Sequence, residues 1–288
     1  MTYKELIKGK KCAVLLNQMN GMAELYDIEK GLSEPLRSFD TGYATGLKVR
    51  HSQRFGGDTL FVSTAGVRVF SLDTAEILWE APPRLSNAHS VEWVEEEDTV
   101  CLAGSSDNLI IFYHTDKPSE PYHSIPLEDA HGVLWDGQNL WATGMDKLLK
   151  MAFVDGIPTV VGEYLMPEEL SGAHDLAAVY GTEGKRLWIT CNRGGAVVQF
   201  DKGDESFYRD YPGSDAITRG AMHKGVGNFA DGTILWMHPD GRRLNSKFHS
   251  VAGWLTDRII VSDGELNRTL VSPTGRFYKL RVCNTEYK

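Results

Sequence analysis

The sequence lacks the motifs that identify several large classes of protein. Its four cysteines show no C-x-x-C spacing, which argues against a thiolate zinc site. No apolar run reaches the ~18 residues that a membrane-spanning helix needs, so we expect no membrane partner. Walker loops, dinucleotide fingerprints and Gly-x-Ser-x-Gly elbows are also missing. We therefore expect no nucleotide cofactor.

Clusters of positive charge are missing too. The formal net charge is −9 at pH 7, and the excess acid is dispersed along the chain. Nucleic-acid binding relies on clustered lysines and arginines that release counterions, so we expect no nucleic-acid partner. Residues 1–8 contain no apolar segment of the kind that a secretory signal needs, and we expect a cytoplasmic protein.

The sequence does contain a histidine that returns at near-constant spacing. His89, His131, His174 and His223 are separated by 42, 43 and 49 residues, close to the length of a propeller blade. Each of the first three follows an alanine and opens an apolar strand. A polar residue that returns to the same place in every repeat lies around one axis. We therefore expect a ring of imidazoles at the centre of a closed β-fold.

Further strands follow each histidine. The second strand of a repeat is exemplified by 99–103 and 186–190, and the third by 108–113 and 196–201. Four short strands in about 40 residues are typical of a propeller blade rather than of a sandwich. The same register continues upstream, where Thr45 takes the place of the histidine.

The two ends of the chain are predicted to share one blade. Residues 12–16 and 23–27 resemble second and third strands without a first strand before them, and 277–282 supplies a spare strand. We therefore predict an all-β, six-bladed β-propeller, a single domain over residues 1–288. Its ring is closed by the C-terminal strand, which pairs into the N-terminal blade. Because the stretch 241–263 is irregular, a propeller of seven blades remains an alternative.

One face of the disc is predicted to carry the functional site. In propellers the start of each innermost strand and the turn between the second and third strands lie on the same face. Besides the four histidines, we expect this funnel to bind substrate through Gln18, Asn20, Arg50, Asp146, Asn192, His238 and Lys279. Of these, Arg50 and Lys279 lie on predicted innermost strands and add positive charge.

Three roles for the histidine ring stay open. The rings can brace the fold by hydrogen bonding the backbone of the next blade. His89, His131, His174 and His223 can instead hold a divalent metal such as Mn, Zn or Ca, because ligands around an axis need no local motif. In the third role the first three histidines are catalytic as general acid and base, and Arg193 neutralises a carboxylate.

Several motifs also occur in an order that a known family shares. They are Asn17-Gln18, the segments 88–92, 130–133 and 172–176, then Lys224-Gly225-Val226, 254–257 and 275–279. In this order, which covers nearly the whole chain, the sequence resembles a bacterial β-propeller family catalogued as a domain of unknown function. The resemblance implies a propeller and brings no established chemistry. A weaker analogy is to oligogalacturonate lyases, propellers with a histidine-bound metal at the channel mouth.

These patterns predict a carbohydrate-active enzyme. A polar, histidine-lined funnel suits a small saccharide or sugar acid, acted on by β-elimination or hydrolysis with the help of a metal or of Arg193. Asp175 and Glu92 are candidates to orient neighbouring imidazoles. The alternative is a non-catalytic propeller, a protein-interaction scaffold or ligand-binding module with a protein partner. That alternative predicts histidines that are fully engaged by neighbouring backbone.

Overall fold

Each repeat of the sequence folds into one four-stranded antiparallel sheet, and six such sheets stand around a common axis. The structure is a computed structural model that describes residues 1–249 and 253–287. Neighbouring sheets contact one another through their first strands, which form the inner wall of a closed ring. The prediction of a six-bladed β-propeller is therefore confirmed.

The strands alternate with short turns throughout the chain. The first three blades use β1 (Cys12–Asn17), β2 (Met22–Asp27), β3 (Arg37–Asp40), β4 (Gly46–Ser52), β5 (Gly57–Ser63), β6 (Val67–Ser71), β7 (Ile77–Ala81), β8 (Ala88–Val94), β9 (Thr99–Gly104), β10 (Leu109–His114) and β11 (His123–Pro126). The later strands are β12 (Gly132–Trp135), β13 (Leu140–Thr143), β14 (Lys147–Val154), β15 (Ile157–Leu165), β16 (Ala173–Ala178), β17 (Arg186–Cys191), β18 (Ala196–Asp201), β19 (Ser206–Tyr208), β20 (Gly225–Asn228), β21 (Ile234–Met237), β22 (Arg258–Ser262), β23 (Asn267–Val271) and β24 (Phe277–Val282).

Counted outward from the axis, the first blade is β24-β1-β2-β3 and the other five take their strands in simple sequence. Closure of the ring therefore depends on β24, which pairs antiparallel with β1, as Ala13 opposite Val282 and Leu15 opposite Leu280 show. This is the closure that the sequence predicted. The irregular stretch 241–263 adds no seventh sheet in the described residues, because most of it is the long connection between β21 and β22.

Helical structure is short. Helix α1 (Tyr3–Ile7) begins at a capping box in which Thr2 and Glu5 bond each other's backbone, and its Tyr3 and Leu6 are buried against the first blade. Three single-turn 3₁₀ helices occupy Glu95–Glu97, Glu168–Leu170 and Ser214–Ala216. Over residues 1–249 and 253–287, no helix has the length and apolar character to cross a membrane.

Aromatic side chains fill the spaces between blades. Trp93 stacks on Phe61 of the second blade at a ring-centroid distance of 5.8 Å, and Trp141 packs against Phe200 of the fifth blade at 5.7 Å. The largest fully buried side chains are Trp93, Trp141, Trp188 and Trp236. Truncation of a core side chain of this size costs about 3–5 kcal/mol, so these contacts fix the blades relative to one another.

Buried ion pairs cross the channel at the centre of the ring. Residues two apart on an innermost strand point to the same side, so alternate residues face the axis. Glu92 on β8 accepts hydrogen bonds of 2.8 and 2.7 Å from Arg50 on β4, and its carboxylate lies 3.5 Å from Lys48 Nζ. Asp175 on β16 accepts from Lys279 at 2.9 Å and from Arg281 at 2.5 and 2.6 Å.

Asp175 joins the closing strand to the fifth blade. Its side chain is fully buried, as is that of Lys279. Burial alone would raise the pKa of the Asp175 carboxyl, but the charges of Arg281 and Lys279 outweigh it and lower that pKa to about 2. The carboxylate therefore stays charged over the whole physiological range and holds β24 in place.

We predict that Asp175→Asn destabilises the protein by about 3–5 kcal/mol, because it leaves Lys279 and Arg281 buried with no counter-charge. The free energy of unfolding from urea titrations measures the effect. Glu80→Gln is the matched control, since it breaks the exposed Arg68–Glu80 pair and costs less than about 1 kcal/mol. Equal losses in the two variants would show that the Asp175 pair does not hold the ring together.

Candidate active site: a histidine cluster at one mouth of the channel

Each blade places one residue at the start of its innermost strand, and these six mouth positions surround one end of the channel. Where the strand is regular, the backbone N–H of the mouth residue donates to the end of the second strand, as His131 does to Thr143 at 2.9 Å and Lys224 does to Met237 at 2.9 Å. The mouth positions are held by Thr45, His89, His131, His174, Lys224 and Tyr278.

Three of the mouth residues sit on β-bulges. The pairing register shifts between Ala88 and Ser90, between Ala173 and Asp175, and on β24 beside the pairing of Leu15 with Leu280. A bulge adds one residue to a strand and re-aims its side chain. The extra residue is His89 in the first bulge and His174 in the second, and the third bulge contains Tyr278 and Lys279. The side chains of His89, His174 and Tyr278 all line the mouth.

The structure brings three of the four predicted histidines together. The ring centroids of His89 and His131 are 4.2 Å apart, those of His131 and His174 are 4.7 Å apart, and those of His89 and His174 are 5.4 Å apart. One nitrogen from each ring lies within 4.8 Å of the other two. All three residues are buried, with no more than 8% of any exposed.

Two residues that the sequence analysis had not placed in the site complete this cluster. Lys224 Nζ lies 2.9 Å from His174 Nε2. The Tyr278 hydroxyl lies 3.0 Å from His89 Nδ1 and 3.2 Å from His174 Nε2. These contacts link five of the six blades through one group of polar side chains.

One set of tautomers follows from these contacts if Lys224 is charged. His131 Nδ1 lies 2.8 Å from the Asp129 carbonyl and 3.2 Å from its carboxylate, so Nδ1 carries the proton and Nε2 keeps a lone pair. The Lys224 ammonium occupies the lone pair of His174 Nε2. The Tyr278 hydroxyl is then left to donate to His89 Nδ1, which places the proton of His89 on Nε2. The cluster thus offers an acceptor on His131 and a donor on His89.

Burial and neighbouring charge shift the protonation equilibria of the cluster. Burial lowers the pKa of His89 and of His174 well below the usual value, and the nearby lysines lower both further. These two imidazoles are therefore neutral at pH 7. Burial, with the charge of Lys279, lowers the pKa of Lys224 to about 8, and burial raises that of Tyr278, which remains a hydroxyl.

A cavity of about 330 Å³ opens from the cluster to solvent. Its walls add aromatic and amide groups to the polar cluster: Tyr43, Asn87, Asn192, His249 and Trp254. Asn192 Oδ1 is buried and accepts no hydrogen bond, which leaves an acceptor available in the wall. Asn192 is the one predicted substrate-binding residue that the structure places in this cavity.

Gln18 supports the cavity from behind rather than lining it. Its side chain accepts from the Trp254 indole at 3.2 Å and donates to the Ala44 carbonyl at 2.7 Å. Both ends of the amide are therefore engaged. Gln18 therefore orients Trp254 and is not placed to make the contact with substrate that the sequence predicted.

His223 does not join the cluster. Its Nε2 lies 2.8 Å from the Thr218 carbonyl, and its ring packs at 5.9 Å from that of His238. Neither side chain lines the cavity. The spacing had suggested His223 as a metal ligand and His238 as a substrate contact, but the mouth position of the sixth blade is one residue further on, at Lys224.

Arg193, Asp146 and Asn20 also lie outside the cavity. All three are exposed on turns between second and third strands. Arg193 lines a separate depression with Glu168, Glu169 and Ser171, so it is not placed to neutralise a substrate at the histidines. Turns of this type lie on the predicted face, and one of their residues, Asn192, lines the cavity, whereas these three do not.

The remaining predicted residues lie inside the channel. Lys279 is fully buried beneath the cluster, where its ammonium donates to the His174 carbonyl at 2.9 Å and to Asp175. Arg50 is bound to Glu92 further along the channel. The carboxylates of Asp175 and Glu92 are therefore occupied by lysine and arginine, and they do not orient the imidazoles as the sequence suggested.

The sequence did contain signals for the two missed mouth residues. Lys224-Gly225-Val226 repeats the pattern of His131-Gly132-Val133 with lysine in place of histidine. Tyr278 follows the first residue of the closing strand, as His89 follows Ala88. Both residues are identified by their position at the start of an innermost strand and not by residue type.

The bracing role is filled by a different mouth residue. Thr45 donates its hydroxyl hydrogen bond to the Ala88 carbonyl of the next blade. His89 and His174 bond side chains instead, and His131 bonds Asp129, the residue two before it. Only the threonine position shows the contact that the purely structural interpretation requires.

A metal ion fits the cluster only in part. Three neutral imidazoles with converging nitrogens match the donor set of a catalytic zinc site. However, His174 Nε2, one of the two possible ligand atoms of that ring, lies 2.9 Å from the Lys224 ammonium, so an ion bound at Nε2 would have to displace a cation. The predicted divalent metal thus remains a prediction, and the side chains alone supply the groups used below.

Comparison with known proteins supports the fold. No protein-family model matches the chain, and no curated protein does. Among solved structures, a putative 6-phosphogluconolactonase from Bacteroides uniformis ATCC 8492 is similar, with a TM-score of 0.61, 14% sequence identity and coverage of 96% of both chains. At this identity the likeness shows the propeller fold alone. Membership of the bacterial family of unknown function stays a prediction.

We predict that Lys224→Met binds Zn²⁺ about 10-fold or more tightly than the unaltered protein, because it frees the third imidazole lone pair. Isothermal titration with Zn²⁺ measures the affinity. Adding His174→Ala to Lys224→Met should abolish the gain. If the unaltered protein binds Zn²⁺ as tightly as Lys224→Met, the ammonium does not block the site.

Proposed function

We propose that this protein hydrolyses a cyclic ester, a lactone, of a small sugar acid. The observation that carries the proposal is the group of three buried imidazoles and the Lys224 ammonium in one cavity, where Asp129 engages His131 Nδ1 and leaves Nε2 as an acceptor. A buried base next to two hydrogen-bond donors suits the addition of water to a carbonyl group.

The proposed reaction begins with proton transfer to His131. Its Nε2 removes a proton from water as the water oxygen bonds to the lactone carbonyl carbon. Asp129 holds the opposite Nδ1–H and stabilises the imidazolium that forms, as a carboxylate does in a catalytic triad. The imidazole is thus held in one orientation while it accepts the proton.

Lys224 and His89 would stabilise the carbonyl oxygen as it becomes negatively charged. An ammonium has three N–H groups, and the contact with His174 uses one of them, so two remain for substrate. When the tetrahedral intermediate collapses, the ring carbon–oxygen bond breaks and the leaving oxygen takes the proton from His131. Water has then been added across the ester, and the product is the open-chain hydroxy acid.

Two further observations support a sugar-acid lactone. The cavity wall combines the flat aromatic faces of Tyr43 and Trp254 with the amides of Asn87 and Asn192, which suits a small ring that carries hydroxyl groups. The similar solved structure is named a putative 6-phosphogluconolactonase. β-Elimination, also considered from the sequence, fits less well because Arg193 lies outside the cavity.

We predict that His131→Asn lowers kcat/KM for lactone hydrolysis by about 10²–10⁴, the usual contribution of a general base. A panel of γ- and δ-lactones of sugar acids, followed by proton release in weak buffer, measures the rate above the spontaneous background. His238→Gln, outside the cavity, is the control and should retain activity. Retention of full activity by His131→Asn on a turned-over substrate would exclude this role.

We also predict a fall in activity as the pH rises through about 8, because Lys224 must be protonated to stabilise the oxyanion. Lys224→Arg keeps the charge and should move this alkaline limb upward by at least ~2 pH units, since arginine stays protonated. An unchanged alkaline limb in Lys224→Arg would assign it to another group.

A further inference from the structure

The channel beyond the histidine cluster contains more positive than negative side chains. Two carboxylates face four cationic groups there, and none of the six side chains is more than 7% exposed. The six are Glu92, Asp175, Lys48, Arg50, Lys279 and Arg281. An uncompensated charge in a protein interior is costly, so this excess calls for an additional negative group.

Two of the cations are incompletely paired. Arg50 directs two of its nitrogens at Glu92, and Lys279 is bonded to Asp175. Lys48, in contrast, has only long contacts, 3.5 Å to the Glu92 carboxylate and 3.3 Å to the Leu176 carbonyl. The Nε–H of Arg281 is buried and has no acceptor.

A small cavity lies beside these two groups at the end of the channel opposite the histidines. We call it the lower cavity; it is lined by Lys48, Val49, Arg50, Leu134, Ala177, Ala178, Tyr180, Val226, Gly227, Arg281, Val282 and Asn284. The strands that face the cations carry small residues there, Ala177 and Gly227. A larger side chain in place of Ala177 would reduce this space.

We propose that the lower cavity binds a small monovalent anion of the halide class, held between the Lys48 ammonium and the Arg281 Nε–H. Nothing in the proposed lactone hydrolysis requires this site. It lies at the other end of the channel, and its occupant would act as a structural counter-ion.

The lining selects for a halide over an oxyanion. Phosphate and sulfate are larger and need many hydrogen-bond donors to replace their hydration, whereas the lower cavity has a volume of about 20 Å³, room for one small ion. Most of the other lining residues are apolar, with Leu134, Ala177 and Val226 among them. A spherical ion of one charge matches few donors and a mostly apolar wall.

Protonation of Lys48 agrees with this geometry. Burial lowers the pKa of Lys48 to about 7 despite the attraction of Glu92. An anion beside the ammonium favours the charged form, so halide binding and protonation of Lys48 support each other.

Thermal unfolding in chloride tests the proposal. Sodium chloride should raise Tm saturably, by a few degrees, relative to sodium glutamate at equal ionic strength, because chloride fits the cavity and glutamate does not. In Lys48→Met the difference between the two salts should disappear. Lys147→Met, which removes a partly exposed lysine from an outer hairpin, should keep it.

A second variant separates filling of the cavity from loss of charge. Ala177→Leu leaves all six charged groups in place and occupies the space, so it should also abolish the chloride effect. Crystals soaked in sodium bromide should show an anomalous peak within about 4 Å of Arg281 Nε in the unaltered protein and none in Ala177→Leu. Equal Tm values in the two salts for the unaltered protein, or no bromide peak at Arg281, would overturn the proposal. Lactone hydrolysis is assayed separately, so its failure would not affect this result.

Discussion

The structure depends on the pairing of buried charges between different blades, the second with the third and the fifth with the first. Asp175 holds two cations of the closing strand, and Glu92 holds Arg50 of the second blade. A ring of separate sheets has no covalent link across its centre. The ion pairs connect the blades non-covalently instead. They lie just below the histidine cluster, where they fix the positions of the strands that carry the mouth residues.

The fold could be predicted well from the sequence because the same strand pattern occurs in several repeats. The period, the strand pattern and the spare strand at 277–282 all agree, and an error in one repeat is corrected by the others. The same averaging favoured His89, His131 and His174, whose motifs are near copies. The structure places all three in one cluster.

The errors have physical causes that a repeat cannot reveal. A count of histidines placed His223 in the ring, although the strand of the sixth blade begins one residue later than that count assumed. Turn residues such as Arg193 were placed on the correct face, but the direction of a turn side chain depends on local backbone geometry. The aromatic wall of Tyr43 and Trp254 comes from loops outside the repeat, where no periodicity points to them.

Charged and polar residues have different roles at the mouth of the channel and at its centre. At the mouth, Lys224 and the histidines keep lone pairs and protons available, because each polar group has fewer partners than it can use. At the centre, Asp175 and Glu92 are fully engaged and rigid. The same innermost strands therefore supply both the rigid ion pairs at the centre and the polar groups with free hydrogen-bonding capacity at the mouth.

The position of Tyr278 on the closing strand has a consequence for biosynthesis. The hydroxyl that bonds His89 lies on β24, which leaves the ribosome about 100 residues or more after the three histidines. A nascent chain therefore carries its imidazoles without this partner. The full cluster of side chains first forms when β24 closes the ring, so an unclosed chain lacks their ordered arrangement.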